Sequence, residues 1–422
     1  MKATFSKKNL MAALVPAAGI SQTQNTYAPC DGLLFECPPD KRFGDYDLGN
    51  PDLCRISAFD FEKGLRTTIE CKVHEKGMCV ISTQAILQIV RALPDGEITM
   101  TIDEAGAAVI SGGKVNFRTS ASPGETFPSM PMFIGTNVYE IPQSGLRRLL
   151  GGTVFAIAQN DLQRTGFNGG LFRIRRGELT IVGCDNYKLA ASRCPVSSPE
   201  GIPEDAEFIL PGKFLRELLR LLNDSDAETT MILGRKHVIF RLNGLYFFTR
   251  ILETEYPDFE KMLPRTHTTQ VFLDRAEFLE AIERASVIAE ARLGGIGGNY
   301  VKLEFAGPSA AVSSVSSVGA VDEILTADRS GAELTIGFEC RNLLETLKAC
   351  PADCDLLRLR MNSPLMGITI EAADRAPFFH TSASPDTVEE PDLEENFASE
   401  NAMGMSQFMF FVLPTRMNVP TR

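Results

Sequence analysis

The fold is decided by three segments with one pattern: Ser82–Leu93 (STQAILQIVRAL), Pro211–Leu222 (PGKFLRELLRLL) and Glu339–Cys350 (ECRNLLETLKAC). Apolar residues recur in each at helical spacing, which predicts amphipathic helices at Ser82–Leu93, Gly212–Leu222 and Cys340–Ala349. When the segments are aligned at their first residues, one position near the end is basic in all three: Arg91, Arg220 and Lys348. The segments are therefore copies of one structural element.

A second position of the aligned segments supports this interpretation. Seven residues before the basic position stand Gln84, Lys213 and Arg341. Seven residues make two helical turns, so both positions share one helix face. A face that recurs three times and is basic in nearly every copy indicates a surface for a regular polyanion. For a single helix, the alternative is an ordinary solvated face.

Each helix belongs to a larger repeat. A repeat opens with a short extended segment and a first amphipathic helix, predicted at Lys7–Ala18, Gln143–Ala158 and Arg275–Ala289. Alternating apolar and polar runs, separated by turns such as Asn243-Gly244, follow each second helix and predict hairpin strands. Each repeat is thus an α+β unit with few, short helices.

Proline-containing junctions separate the repeats and place boundaries near Asn137 and Thr268. The predicted domains are residues 1–137, 138–268 and 269–422. Two inserts interrupt the plan: Pro38–Leu53, interpreted as a surface loop, and the acidic segment Ser384–Asn401. Because the acidic segment precedes the last predicted strand, we expect its charges to lie near any site built on that strand.

Composition limits the possible functions. A chain of 422 residues suits about three domains. The net charge of −12 excludes a generally basic nucleic-acid binder, so cations would have to be concentrated on one surface. The ten cysteines are scattered without a CxxC pair, which predicts reduced thiols and no metal or other cofactor. No stretch approaches the ~20 apolar residues of a membrane span, and we expect a cytoplasmic protein.

Five motifs, mainly in the second and third repeats, carry a resemblance to a known family. They are FNGGLF at Phe167–Phe172, VGCDNYKLA at Val182–Ala190, YPDF at Tyr256–Phe259, SGAE at Ser330–Glu333 and VLPTRM at Val412–Met417. In this order they resemble the bacterial sliding clamps, the beta subunits of DNA polymerase III. The resemblance covers most of the chain outside the two inserts and Asn418–Arg422.

The resemblance implies a head-to-tail homodimer in which three clamp-type domains per chain close a six-domain ring around duplex DNA. Such a clamp is a non-catalytic processivity factor. Phosphate contacts hold DNA without reading its sequence, so the ring can slide. The residues expected to face DNA are Arg91, Lys213, Arg220, Arg341 and Lys348. The resemblance places Val287 and Ile288 at the subunit contact, facing Phe117 of the other chain.

The resemblance also implies a cleft that binds short hydrophobic motifs of partner proteins. These partners would be the DNA polymerase III catalytic subunit, the clamp loader, other polymerases and repair proteins. Position by position, the cleft would comprise Phe167, Cys184, Asn186, Tyr187, Lys188, Leu189, Pro257, Lys261, Met262, Gly367, Val412, Leu413, Pro414, Thr415, Arg416 and Met417. For Leu189, Val412 and Leu413, plain core packing is the alternative.

The chain departs from the family pattern at this cleft. Where the family usually has Thr-Asp-Gly-His-Arg-Leu, this chain has Cys184–Leu189 (CDNYKL), and the usual Met-Pro-Met-Arg-Leu is Leu413–Met417 (LPTRM). The position of Gln24, commonly Arg in the family, lacks a cation. These changes alter the rim of the cleft. A second hypothesis is therefore a clamp-like ring that is specialised for an alternative polymerase.

An enzyme is the remaining alternative. Asp103-Glu104, His380 and the cysteines could be offered as catalytic groups, but none stands in a nucleophile or metal motif. The glycine-rich run Leu293–Gly298 follows a helix and lacks the Lys-Ser/Thr of a phosphate loop. The sequence therefore favours a binding protein over a catalyst.

Overall fold

The structure is a computed structural model that describes residues 1–21, 28–38, 52–103, 105–130, 135–201, 203–264, 266–289, 300–374 and 407–416. Most of the predicted insert Pro38–Leu53 and all of Ser384–Asn401 lie outside these ranges. So do Gln24 and Met417, and the predictions made for them are not addressed by the structure.

Six α-helices fall within the described residues: α1 (Lys7–Ala18), α2 (Thr83–Ala92), α3 (Gln143–Gly151), α4 (Gly212–Leu221), α5 (Arg275–Ala289) and α6 (Cys340–Ala349). They correspond to the six predicted helices. The difference is at α3, which was predicted to reach Ala158 but ends at Gly151. After the Gly-Gly pair, the Thr153 hydroxyl donates to the Leu149 carbonyl at 2.8 Å, and the chain continues in a short 3₁₀ turn, Val154–Ala156.

The described strands of the first repeat and the start of the second are β1 (Lys2–Ser6), β2 (Gly32–Cys37), β3 (Leu53–Phe59), β4 (Lys63–Glu70), β5 (Lys72–Glu75), β6 (Gly77–Ser82), β7 (Glu97–Ile102), β8 (Ala107–Gly112), β9 (Val115–Pro123) and β10 (Gly135–Pro142). Those that follow are β11 (Gly169–Arg175), β12 (Glu178–Cys184), β13 (Lys188–Pro195), β14 (Ala206–Pro211), β15 (Glu228–Gly234), β16 (His237–Leu242) and β17 (Leu245–Arg250).

The third repeat has β18 (Thr269–Asp274), β19 (Tyr300–Ala306), β20 (Ser309–Ser316), β21 (Gly319–Thr326), β22 (Asp328–Gly331), β23 (Leu334–Glu339), β24 (Leu356–Met361), β25 (Ile368–Ala372) and β26 (Gln407–Val412). All named pairs of neighbouring strands are antiparallel, as the alternating sequence pattern predicts.

The first of two compact units comprises residues 1–143, 197–201 and 220–251. Its strands form one sheet in the order β10-β15-β16-β17-β4-β3-β2-β6-β9-β8-β7-β1-β5. Strand β17 of the second repeat pairs with β4 of the first, from Leu245 opposite Thr67 to Thr249 opposite Lys63. Backbone hydrogen bonds therefore cross the predicted boundary between the first two repeats.

The second unit comprises residues 144–196, 202–219 and 252–422. It has a nine-stranded sheet, β14-β11-β12-β13-β26-β25-β24-β18-β22, and a four-stranded sheet, β21-β20-β19-β23. Strand β13 of the second repeat pairs with β26 of the third, from Lys188 opposite Val412 to Arg193 opposite Gln407. Strands that are far apart in the chain are thus neighbours in one sheet, which positions the candidate site.

The apolar faces of the second helices explain their docking. Helix α4 buries Phe214, Leu215 and Leu218, and α6 buries Leu343 and Leu347. Each fully buried Leu or Phe side chain contributes on the order of 1.5–3 kcal/mol relative to exposure. The face opposite each apolar stripe is left to solvent.

Candidate functional site

The basic positions predicted from the aligned helices are exposed. Arg91 lies on α2, Lys213 and Arg220 lie on α4, and Arg341 and Lys348 lie on α6, each outside the buried stripe of its helix. The common register predicted from the sequence is thus expressed as an exposed helix face in every copy.

Carboxylate groups lie next to Arg341 and Lys348. The Lys348 ammonium lies 3.0 Å from Glu283 on α5, and Arg341 Nε lies 2.9 Å from Glu345, one turn further along α6. Exposed pairs of this kind are weak, about 0.3–0.5 kcal/mol for helix neighbours, and are screened by salt. A phosphate could therefore replace either carboxylate.

The turn between β12 and β13 carries Asn186 and Tyr187, which are both exposed. The Asp185 carboxylate shapes this turn, because its Oδ1 accepts hydrogen bonds from the backbone N–H groups of Tyr187 at 2.7 Å and Lys188 at 2.8 Å. An Asp side chain that bonds the backbone two and three residues ahead stabilises a tight turn. The turn thus holds Tyr187 outward.

Lys188 does not belong to the exposed rim. Its side chain is only 7% exposed, and its ammonium lies 3.1 Å from Asp185, 3.1 Å from Glu345 and 3.3 Å from the Asn342 amide oxygen. A buried charge must be paired to be tolerated, and here three acceptors surround it. Although burial opposes it, hydrogen bonds from Arg341 and Lys188 lower the pKa of Glu345, which stays ionised.

The two faces of β26 have different roles. Phe408, Phe410 and Val412 enter the core that includes residues of α5 and α6. The residues between them, Met409 and Phe411, belong to a separate apolar cluster. Successive strand residues point to opposite faces, so Val412 is a core residue and lies on the other side of the sheet from Phe411.

We call Phe167, Leu189 and Phe411 the cleft floor. They pack in one cluster with Val182, Cys184 and other apolar residues, and all three are buried. Leu189 lies directly opposite Phe411 on β13 and β26. Three predicted cleft residues, Phe167, Cys184 and Leu189, are therefore brought together, whereas Lys188 and Val412 lie on the opposite sheet face.

A second wall comes from the segment after β17. The Tyr256 hydroxyl donates to the Val182 carbonyl at 3.2 Å, and its ring lies edge-on to Phe167 with centroids 6.4 Å apart. A Cβ on Gly166 would be 2.5 Å from the Glu255 carbonyl oxygen, so glycine is required for this approach. This packing brings half-buried Pro257 beside the floor.

Gly367 leaves room for the ring of Phe411, which is part of the cleft floor. A Cβ at this position would lie 2.4 Å from the Phe411 ring, closer than any ordinary contact. The predicted cleft position is therefore a buried glycine whose role is to admit Phe411.

The rim holds the exposed apolar side chains. Tyr187 is 55% exposed and Leu413 is 40% exposed, and the Leu413 N–H donates to the Tyr187 carbonyl at 2.8 Å. Met262 is similarly exposed, next to Lys261, whose ammonium lies 2.7 Å from Asp258. These groups offer an apolar surface with polar neighbours.

The end of the described chain continues the rim. Pro414 is half-buried and Arg416 is exposed, while the Thr415 N–H donates to the Gly337 carbonyl at 2.8 Å. That backbone bond fixes the segment after β26 along the edge of the site.

Sequence reasoning missed two residues of this site. Phe411 forms the floor, and the Arg164 guanidinium lies over the Phe167 ring, 4.6 Å from its centroid, while pairing with Asp161 at 3.3 Å. The motif FNGGLF was a signal for Arg164, because an arginine stands three residues before its first phenylalanine. Phe411 gave no signal, since both faces of β26 are apolar.

Two of the residues predicted for the subunit contact, Val287 and Ile288, lie on α5 beside the four-stranded sheet. Val287 on α5 is 70% exposed, and half-buried Ile288 has its Cδ1 3.8 Å from the position a Cβ would take on Gly319, the first residue of β21. Strand β21 is an edge strand of its sheet. Phe117 lies half-buried on β9, in the first unit.

The part of the chain that the structure describes contains no metal-binding cluster, since no three of its His, Cys, Asp or Glu side chains are arranged to hold a metal ion. Burial raises the pKa of the Cys184 thiol to about 12, so it is protonated and a poor nucleophile. None of the helices in the described part of the chain is both long and apolar enough to cross a membrane.

Three domain families match the chain in order. Residues 49–131 match the DNA polymerase III beta subunit N-terminal domain, residues 140–258 match its central domain, and residues 260–381 match its C-terminal domain. Together these ranges take in well over half of the chain. The chain belongs to the DNA polymerase III beta subunit family, the bacterial sliding clamps. Sliding clamps of this family are processivity factors without catalytic activity.

Individual sliding clamps agree with this assignment. The chain is 29% identical over 357 residues to the beta sliding clamp of Bacillus subtilis (strain 168), covering 82% of this chain and 90% of that one. It is 27% identical over 285 residues to the Staphylococcus aureus beta sliding clamp, covering 67% and 73% of the two chains.

Solved clamp structures have the same fold. The Bacillus subtilis clamp superposes with a TM-score of 0.83 at 23% identity, covering 99% of both chains. A Pseudomonas aeruginosa clamp bound to griselimycin gives a TM-score of 0.80 at 22% identity, covering 99% of this chain and all of that one. The predicted fold class, three clamp domains that are rich in sheet and poor in helix, is confirmed.

Proposed function

We propose that two copies of this chain close head to tail into a six-domain ring that encircles duplex DNA and slides along it. Three similar domains per chain, with boundaries near Asn137 and Thr268, support this arrangement, because two chains related by two-fold symmetry then complete six. Val287 and Ile288 on one chain and Phe117 on the other would lie at the contact, next to the edge strand β21. Unpaired edge strands readily accept another strand.

The exposed basic helix positions support DNA contact. Five exposed cations project from the second helices, outside their buried stripes: Arg91, Lys213, Arg220, Arg341 and Lys348. Phosphate contacts by such residues hold DNA regardless of its sequence. The net charge of −12 leaves the rest of the surface acidic. Sliding clamps act on DNA in the cytoplasm, and we infer the same place of action for this chain.

The cleft floor and its rim support binding of partner peptides. The Leu413 N–H bonded to the Tyr187 carbonyl is the observation that carries this proposal, because it joins two exposed apolar side chains from different repeats at one rim. Peptide grooves combine apolar pockets with a few orienting polar groups, here including Arg164. The partners would be the polymerase III catalytic subunit, the clamp loader, other polymerases and repair proteins.

Griselimycin is bound to the Pseudomonas aeruginosa clamp, and we take it as the ligand with which to test the proposed cleft of this chain. Calorimetric titration should give saturable binding to the wild-type chain, and Leu413→Asp should weaken it by roughly tenfold or more, since a charge then opposes apolar burial. Arg235→Asp, a change at an exposed turn of the first unit, should leave binding intact. An equal affinity for wild type and Leu413→Asp would overturn the assignment of the rim.

A further inference from the structure

A continuous series of polar contacts joins helix α6 to the cleft rim. Glu345 receives Arg341 Nε at one carboxylate oxygen, at 2.9 Å, and the Lys188 ammonium at the other, at 3.1 Å. Lys188 also contacts Asp185 at 3.1 Å. Asp185 in turn holds the backbone of Tyr187, so a single carboxylate on α6 is linked to the turn at the rim.

The two ends of this series are unequally exposed. The Arg341 side chain is 75% exposed, while Lys188 and its acceptors are largely buried. Solvent and phosphate can therefore compete for Arg341, but not readily for Lys188. When the Arg341 contact is lost, the whole charge of Glu345 acts on Lys188. The surrounding protein screens this attraction less than water would.

We propose that Glu345 couples the DNA-facing surface to the partner cleft. When a DNA phosphate draws Arg341 away, Glu345 holds Lys188 more firmly, and through Asp185 the turn carrying Asn186 and Tyr187 becomes better ordered. A turn that is ordered before a peptide arrives loses less entropy on binding, so DNA tightens peptide binding. Glu345 is a positioning residue, and this coupling rests on the proposed function of both surfaces.

The size of the coupling follows from the weakest contact in the series. An exposed i,i+4 ion pair changes an equilibrium constant about twofold. The coupling between the two sites is bounded by that contact, and we expect griselimycin to bind about twofold more tightly when duplex DNA is present. Linkage requires that griselimycin tighten DNA binding by the same factor.

The test measures the dissociation constant of griselimycin for the full chain with and without a saturating short linear duplex, at matched ionic strength. Wild type should give a ratio of about two. Glu345→Gln should give a ratio of one, because the amide carries no charge to share. Arg341→Gln should bind griselimycin without DNA as tightly as DNA-bound wild type does, a gain that mere damage to the fold would not produce.

Glu283→Gln is the matched control. Glu283 pairs with Lys348 at 3.0 Å near the same helix but is not one of the three acceptors around Lys188, so this variant should keep the wild-type ratio. If wild type binds both griselimycin and DNA but independently, the coupling is wrong and the proposed function stands. If either ligand fails to bind wild type, the proposed function itself fails, and the coupling with it.

Discussion

Lys188 and Val412 lie directly opposite each other on β13 and β26, and both side chains point to the sheet face covered by α6. The next pair, Leu189 and Phe411, points to the other face and forms the cleft floor with Phe167. Moving one residue along the ladder therefore changes the role of the pair: Lys188 and Val412 serve the core, and Leu189 and Phe411 serve the proposed binding site.

Gly367→Ala should damage the cleft without touching its rim. The added methyl would lie 2.4 Å from the Phe411 ring, so the ring must move, at a cost of about 1–3 kcal/mol in the free energy of unfolding. Urea denaturation and griselimycin titration should both report the loss. Gly151→Ala is the control, because nothing lies within 4 Å of its added Cβ, and it should be neutral or slightly stabilising. Equal effects of the two substitutions would contradict this role for Gly367.

Ile288→Asp should shift the protein from dimer to monomer. An unpaired carboxylate buried at an interface costs about 3 kcal/mol or more, which raises the dimer dissociation constant more than a hundredfold. Light scattering at micromolar concentration measures the change. Leu162→Asp replaces an exposed apolar residue of the same unit that is not part of the predicted contact, and it should remain dimeric. A wild-type chain that is monomeric at this concentration would refute the ring.

Arg220→Glu combined with Lys348→Glu should weaken retention on circular DNA and reduce its salt dependence. Each lost phosphate contact reduces the steepness of log K against log salt by about 0.9. The slope of the double variant should therefore be less steep by about two per chain. Arg235→Glu reverses one charge at an exposed turn between β15 and β16 and should leave the slope unchanged. Identical slopes for all three proteins would reduce the basic positions to a solvated face.

Stability should fall in alkaline solution because buried thiols resist ionisation. Burial raises the pKa of Cys79, Cys184 and Cys194 from 9.0 to about 12. Between these values the unfolded chain has lost the thiol protons that the native chain keeps, so the native state binds more protons and its stability decreases with pH. The stabilisation is present in full below about pH 9.

Each such thiol contributes up to about 1.4 kcal/mol per pH unit in this window. Urea denaturation from pH 7 to pH 10.5 measures the slope, and Cys194→Ser should make it shallower because serine does not ionise. A free energy of unfolding that is constant between pH 8 and pH 10 would show that these thiols ionise normally in the native state.

Local sequence patterns predicted the helices and their exposed basic face, because the spacing of apolar residues over about ten positions shows which side of a helix is buried. They did not predict that β13 pairs with β26, since the partners are separated by more than two hundred residues and no local pattern encodes the pairing. The run QFMFFV, which forms β26, is apolar on both faces, so alternation could not distinguish Phe411 from Val412.

The role of Lys188 shows the same limit at the site. A motif match assigns Lys188 to a position in the site. Two of its side-chain partners, Asn342 and Glu345, are more than a hundred and fifty residues away in the chain, so the motif does not reveal them. The turn itself was foreseeable, because Asp185 supplies the local hydrogen bonds that an aspartate commonly makes in turns.

The ladder between β13 and β26 has a mechanical consequence. Six residue pairs join the second and third repeats, and their hydrogen bonds run perpendicular to the strands. A pull along the strands loads all of these bonds together, whereas a pull across the ladder would break them one after another. When a moving polymerase pulls a clamp along these strands, the ladder therefore resists extension, and any elongation must come from other parts of the chain or from the contact between two chains.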